Sequence, residues 1–368
     1  MTTNTKKRIY SFDLLKIISI LIVFIYHIVM DMYQIHPMHN LKSVYDIIIR
    51  PNMHLAMVAC ALFILISGAT ITYNIREEKP LEFYKRRLTR VLIPFYIAYI
   101  IYFVIKVITL KNIHIFGGID KWRFIYTIFG MDEYLNAAGI KTFSLGIGEW
   151  FLGCIILCYL AYPFLYRAHK KNKIVTFVAM TIYYILINVF YDKLNIGMPS
   201  HFNFLCQVYN FYLGIAFVDI VGAKHCEPAA GADVRSYRTG ELCEPLWLHV
   251  FTIPTILFFY FYETIINIPD NFKTTMVVIA ILISFYLFEN VLVNNKIIGS
   301  LIKIFSSISY EFFLVHHFVI YQVNYVLNYR RLGGVATLAV VALDFLLTII
   351  IAIFVREISA RVIKLFKK

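Results

Sequence analysis

The chain has 368 residues, 60% of them hydrophobic and only 15% charged, with a mean hydropathy of +0.71. That balance excludes a soluble globular domain and indicates a polytopic membrane protein. The formal charge of +13, from 35 basic and 22 acidic side chains, gathers at the edges of apolar runs, where anionic lipid attracts it, and so argues against nucleic acid as the partner.

Ten apolar runs are long enough to span a bilayer, at about 10–32, 52–74, 91–110, 148–166, 174–191, 202–221, 247–265, 274–292, 301–326 and 334–355. With both ends placed in the cytoplasm, inner segments hold 23 of the 35 Lys and Arg and outer loops 10, while Lys16 and Lys106 fall inside spans. This bias supports an all-α bundle of about ten transmembrane helices, both termini cytoplasmic, forming one domain over 1–368. Lys6, Lys7 and Arg8 precede the first run like a secretory leader. The run is longer than a signal core and no small-residue cleavage site follows, so it is expected to be retained.

The first span holds two costly polar groups, Lys16 and His27. Eleven residues turn a helix by about 1100°, which brings the two within roughly 20° of one face. Asp13, three residues before Lys16, is placed to pair with it. In the second span, Ser67-Gly68 is a small polar break whose plainest meaning is close helix packing. Ahead of the third, Arg86, Arg87 and Arg90 lie in Phe83-Tyr-Lys-Arg-Arg-Leu-Thr-Arg90. Guanidinium forks suit phosphate, although an inner-edge anchor without a ligand is the plainer reading from charge alone.

The outer loop 111–147 carries Gly117-Gly118, Trp122, Asp132-Glu133 and Gly139, enough for a partly structured cap. Glu149 and Trp150 then open the fourth span at the outer rim. The inner loop 222–246 has an atypical composition, with Cys-Glu-Pro at both 226–228 and 243–245. The ninth span brings Tyr310, Glu311 and His316-His317 into the bilayer. If it starts near Leu301, His316 lies about 22 Å along it, at the depth of His27. Cys60, Cys154, Cys158 and Cys206 fall in spans and Cys226 and Cys243 in a loop, without the ligand spacing of a metal site. No metal is expected.

These segments resemble the membrane acyltransferase-3 family. The resemblance rests on Lys16, ten residues and His27; on Phe63 with Ser67-Gly68; on Arg87-x-x-Arg90 before Pro94; on Trp150-Phe-Leu152; and on Ser309-Tyr310-x-x-Phe313-Leu314-x-His316. Lysine stands at 16 where the family more often has arginine. The resemblance implies transfer of an acyl group, usually acetyl, from cytoplasmic acyl-CoA to a hydroxyl of an extracytoplasmic glycan or similar acceptor. The abundance of Ile, Lys, Asn, Tyr and Phe points to an AT-rich bacterial genome and so to a bacterial cytoplasmic membrane. It implies His27 as base or nucleophile, supported by Lys16, His316, Glu311 and Tyr310. Arg87, Arg90, Arg86 and Ser67 would hold acetyl-CoA, and Glu149 and Trp150 would line the acceptor side. The rival class is a carrier of a polysaccharide precursor, which also buries charge in a bundle of many spans.

Overall fold

Wherever the structure describes them, the long apolar runs are helices. The computed structural model describes residues 8–31, 54–111 without Glu77, 116–222, 269–287, 295–327 and 334–365, with a few isolated positions between. In chain order the long helices begin with α1 (Tyr10–Met30), α2 (Leu55–Tyr73) and α3 (Pro80–Leu110). Two short helices, α4 (Phe124–Ile128) and α5 (Asp132–Asn136), precede α6 (Glu149–Lys171), α7 (Lys173–Phe190) and α8 (Phe204–Gly222). The chain ends with α9 (Asp270–Leu287), α10 (Lys296–Ser306), α11 (Ser309–Leu327) and α12 (Gly334–Leu365). Among the described residues no strand is present, which is the all-α class expected for backbone in hydrocarbon.

Seven of these helices are long and apolar enough to cross a membrane, or eight if α10 and α11 count as one span. The run at 202–221 is helical as α8, but its described apolar part, Phe204–Asp219, falls short of a full crossing. The run at 247–265 and the loop 222–246 lie almost wholly outside the described residues. The ninth span is corrected in shape. It breaks between Ser306 and Ser309 and bends by 58°, so the climb to His316 starts at Ser309 and covers about 10 Å rather than 22 Å.

One end of the bundle is basic. There, the Glu289 carboxylate accepts the backbone N–H groups of Tyr10 (2.8 Å) and Ser11 (2.6 Å), two of the donors a helix start leaves unsatisfied. At the same end Arg356, near the close of α12, donates to Ser307 at 2.9 Å. The foot of α3 and the close of α6 meet there as well, through Tyr84 and Leu160. At the other end the Tyr134 hydroxyl accepts from Phe204 N at 3.0 Å and the Tyr99 hydroxyl donates to Phe143 O at 2.7 Å. Consecutive long helices therefore run alternately between the two ends.

Helix α2 sits at the centre and is buried along nearly its whole length, from Ala56 to Thr72. It crosses α8 at glycines. A Cβ on Gly68 would lie 2.2 Å from Phe211 O, and one on Gly214 would lie 2.0 Å from Leu65 O. Such backbone proximity is how small residues drive helix association in lipid.

Two mid-helix prolines are served by one device. Proline lacks the N–H and its ring strains the preceding turn, so carbonyls three and four residues back lose partners. Three residues before Pro94, Val91 O accepts the Tyr310 hydroxyl at 2.8 Å; three before Pro163, Leu160 O accepts the Tyr84 hydroxyl at 2.9 Å. A polar seam joins α7, α8 and α9, in which Tyr184 bonds Thr275 (2.7 Å), Thr275 bonds Asn210 (2.9 Å) and Asn210 bonds Gln207 (2.9 Å).

Candidate active site

The sequence Gly146-Ile-Gly148-Glu149 forces a sharp entry into α6. Gly146 (φ +77°), Gly148 (φ +74°) and Glu149 (φ +44°) all occupy the left-handed region, which glycine adopts freely and glutamate does not. Space also requires glycine at 148, where a Cβ would meet Leu152 at 2.9 Å and Leu314 at 3.3 Å. The turn holds the Glu149 side chain at the far end of the bundle, between α1 and α11. Strained backbone of this kind concentrates at functional sites.

Three imidazoles converge on one oxygen of that carboxylate. From Glu149 Oε1, His27 Nε2 is 2.9 Å, His317 Nδ1 3.5 Å and His316 Nε2 3.9 Å away. The His27 ring centroid is 4.5 Å from that of His317 and 5.2 Å from that of His316. His316 is fully buried, and its Nδ1 faces Phe313 O at 2.7 Å. A carbonyl only accepts, so Nδ1 carries the proton and Nε2 turns its lone pair to the cluster. His27, His317 and Glu149 keep 15%, 18% and 18% side-chain exposure, enough to meet a second substrate. His27, Glu149 and His316 each offer one ligand atom, all within 4.8 Å of one another, so this set could also hold a metal ion.

A second carboxylate supports the loop. Glu133 accepts from the Ser144 hydroxyl and the Gly146 N–H, bracing the turn that carries Glu149. Burial pushes Glu133 above the usual carboxylate range, opposed by those hydrogen bonds. Burial likewise pushes Asp132 up to about 6.

Along α1, positions 16, 19, 20, 23 and 27 form one stripe. Between Lys16 and His27 it borders a void of about 10 Å³, lined also by Ala59, Cys60 and Phe63 of α2, Phe151 of α6 and Phe313 of α11. At the basic end a cavity of about 250 Å³ is lined by Arg8, Asp13, Lys16 and Thr70. There Lys16 Nζ is 3.5 Å from Asp13 Oδ1, and Arg8 pairs with the same carboxylate.

The remaining sequence-derived candidates divide between this path and elsewhere. Ser67 and Arg87 both face Tyr159, and Tyr310 lies beside the same ring. The half-buried Arg87 has its Nε buried without a hydrogen-bond partner among the described residues. Arg90 is exposed at the same foot of α3. Arg86 is not free for a ligand, since it forms a two-bond ion pair with Glu78. Tyr310 donates to the α3 backbone rather than into the imidazole cluster. Glu311 is about 140° around α11 from His316 and faces Arg356 instead. Trp150 is 9% exposed and stacks on Phe202, with centroids 4.6 Å apart.

The sequence reading missed the role of His317, of Tyr159 and of Glu133. The adjacent His-His pair was a usable signal for His317. Nothing local marks Tyr159 or Glu133, because their significance lies in contacts with other helices.

No curated protein and no solved structure matches the chain. The model of the acyltransferase-3 family, described as an acyltransferase domain, matches residues 9–357, a range that contains every residue of the imidazole cluster, the α1 stripe and the α3 arginines. The chain therefore belongs to the acyltransferase-3 family and is a membrane acyltransferase.

Proposed function

We propose that this protein transfers an acetyl group from cytoplasmic acetyl-CoA to a hydroxyl of an extracytoplasmic glycan across a bacterial cytoplasmic membrane. The observation that supports it most is the convergence of His27, His316 and His317 on Glu149, at one end of a helix face whose other end carries Lys16 near Arg87. The positive-inside bias assigns the basic end to the cytoplasm, where Arg87 and Arg90 engage the phosphates of the donor. The narrow void between Lys16 and His27 favours a short acyl group over a long one.

His27 acts as general base, with Glu149 fixing its tautomer. Glu149 Oε1, 2.9 Å from Nε2, favours the tautomer with the proton on Nε2, which leaves Nδ1 to take the proton of the acceptor hydroxyl. The hydroxyl oxygen bonds to the thioester carbon, the C–S bond breaks, and the thiolate leaves with the proton returned from His27. The products are the ester and free CoA. His316, with its Nε2 lone pair turned to the cluster, and His317 complete the polar pocket around the reacting groups. The reaction needs proton transfer alone and no metal.

Proteoliposomes given acetyl-labelled CoA and a surface glycan test the proposal. Label accumulates on the glycan, a chelator leaves the transfer intact, and His27→Ala abolishes it while the variant stays monodisperse in detergent. Full activity of His27→Ala, or acceptor movement without label, would overturn it in favour of another base or of a carrier.

A further inference from the structure

A larger cavity, of about 510 Å³, opens at the basic end between the foot of α2, the start of α3 and the last turns of α6. Its size falls within the range of small-molecule sites. Three rings line it in a near-parallel ladder. Phe83 and Tyr162 have centroids 5.0 Å apart at 22°, and Tyr162 and Tyr166 are 5.6 Å apart at 17°. Phe83 and Tyr162 are buried, whereas Tyr166, the end rung, is half-exposed.

The charges around the ladder are arranged unequally. Glu78 is consumed by Arg86, whose guanidinium also lies 5.8 Å from the Phe83 ring. Arg76 and Arg167, both exposed and both lining the cavity, have no carboxylate partner among the described residues. Lys170 lies 5.6 Å from the Tyr166 ring but is already paired with Asp219 at 3.5 Å, so it is not a free cation of this cavity. A positive-inside anchor accounts for cations at this level. It does not call for a roomy cavity or a ladder of stacked rings among them.

The cavity also connects to the proposed chemistry. Tyr162 is one of its walls, and Arg87 is within electrostatic reach of Tyr162 and Tyr159. From Tyr159 the path continues to Ser67, and Lys16 is within electrostatic reach of Arg87.

We infer that this cavity is the adenine-nucleotide subsite of the acyl donor, with the purine against the Tyr162–Tyr166 ladder and the phosphates on Arg76 and Arg167. Aromatic faces hold a base by stacking, and unpaired guanidinium groups hold phosphate by charge-assisted hydrogen bonds. The inference rests on the donor being an acyl-CoA, as proposed above. Arg87 then receives the phosphate nearest the bundle interior and passes the pantetheine arm towards Lys16.

The test compares acetyl-CoA with acetyl-pantetheine, which lacks the nucleotide, in detergent-solubilised protein, and measures binding of adenosine 3′,5′-bisphosphate directly. For Tyr166→Ala, and for Arg76→Ala with Arg167→Ala, the ratio of kcat/KM for acetyl-CoA to that for acetyl-pantetheine falls roughly tenfold or more, the loss expected for one stack. Tyr166→Phe restores the ratio, which separates stacking from misfolding. Adenosine 3′,5′-bisphosphate binds wild-type protein saturably and binds Tyr166→Ala at least about tenfold more weakly. An unchanged ratio together with unchanged bisphosphate binding overturns the subsite. If the wild type uses neither donor yet binds the bisphosphate through Tyr166, the donor reading fails and the nucleotide site stands.

Discussion

At the residue scale, Glu149 sits 2.9 Å from His27 on a left-handed backbone that costs a non-glycine residue energy, at the end of a turn with glycines at 146 and 148. A carboxylate that orients a base is worth less than the base itself but still affects turnover. Glu149→Gln is expected to lower kcat by about 10²-fold, with KM for acyl-CoA nearly unchanged. A KM rise with intact kcat would instead make Glu149 a donor-binding residue. Asp132 gives a stability prediction. Its carboxyl, buried at 3% exposure in the segment between α3 and α6, is raised from 3.8 to about 6, so the folded segment holds its proton more tightly than the unfolded chain. Stability from this group is complete below about pH 4 and is lost as pH rises through about 6. Asp132→Asn should raise the thermal midpoint at pH 7 by roughly 2–4 °C and leave it unchanged near pH 4, as read by differential scanning fluorimetry in detergent.

At the element scale, the crossing of α2 with α8 is the tightest contact between long helices. Gly68 faces the Phe211 carbonyl and Gly214 the Leu65 carbonyl, so the first atoms a new Cβ would meet are backbone that cannot yield. Gly68→Ala and Gly214→Ala should each cost about 1–3 kcal/mol of stability, the scale of overpacking. Because both relieve or strain the same crossing, their effects should not add. Additive and near-neutral effects in thermal unfolding would remove the close crossing. The same scale explains why α3 and α6 tolerate Pro94 and Pro163. Tyr310 and Tyr84 take up the carbonyls three residues before each proline, so one strained carbonyl in each helix gains a partner without water.

At the scale of the whole molecule, alternating helices set a basic end against the imidazole cluster, and the bundle between them is nearly closed, with a void of about 10 Å³ on the α1 stripe. In the proposed reaction donor and acceptor would approach from opposite ends and meet where water is scarce and electrostatic interactions are strong. Orientation is tested by single cysteines at the exposed positions Lys121 and Lys171, in a background with Cys226 and Cys243 replaced by Ser. In intact cells an impermeant maleimide should label Lys121→Cys and not Lys171→Cys. The reverse pattern would invert the proposed direction of transfer.

Hydropathy, helical period and charge bias are local properties, so the sequence by itself determined the all-α membrane class, the helices from α1 to α12 where they are long, and the shared face of Lys16 and His27. It also marked Asp13 beside Lys16, because three residues on a helix fix that distance. Only the tertiary structure decided what sits opposite that face. Glu149 and His317 join His27 because a left-handed turn and a 58° break bring α6 and α11 to α1. Arg86 is removed from the free cations by Glu78, and Glu311 is turned towards Arg356. Contacts between helices far apart in the chain depend on how their faces pack, and no spacing within one helix encodes them.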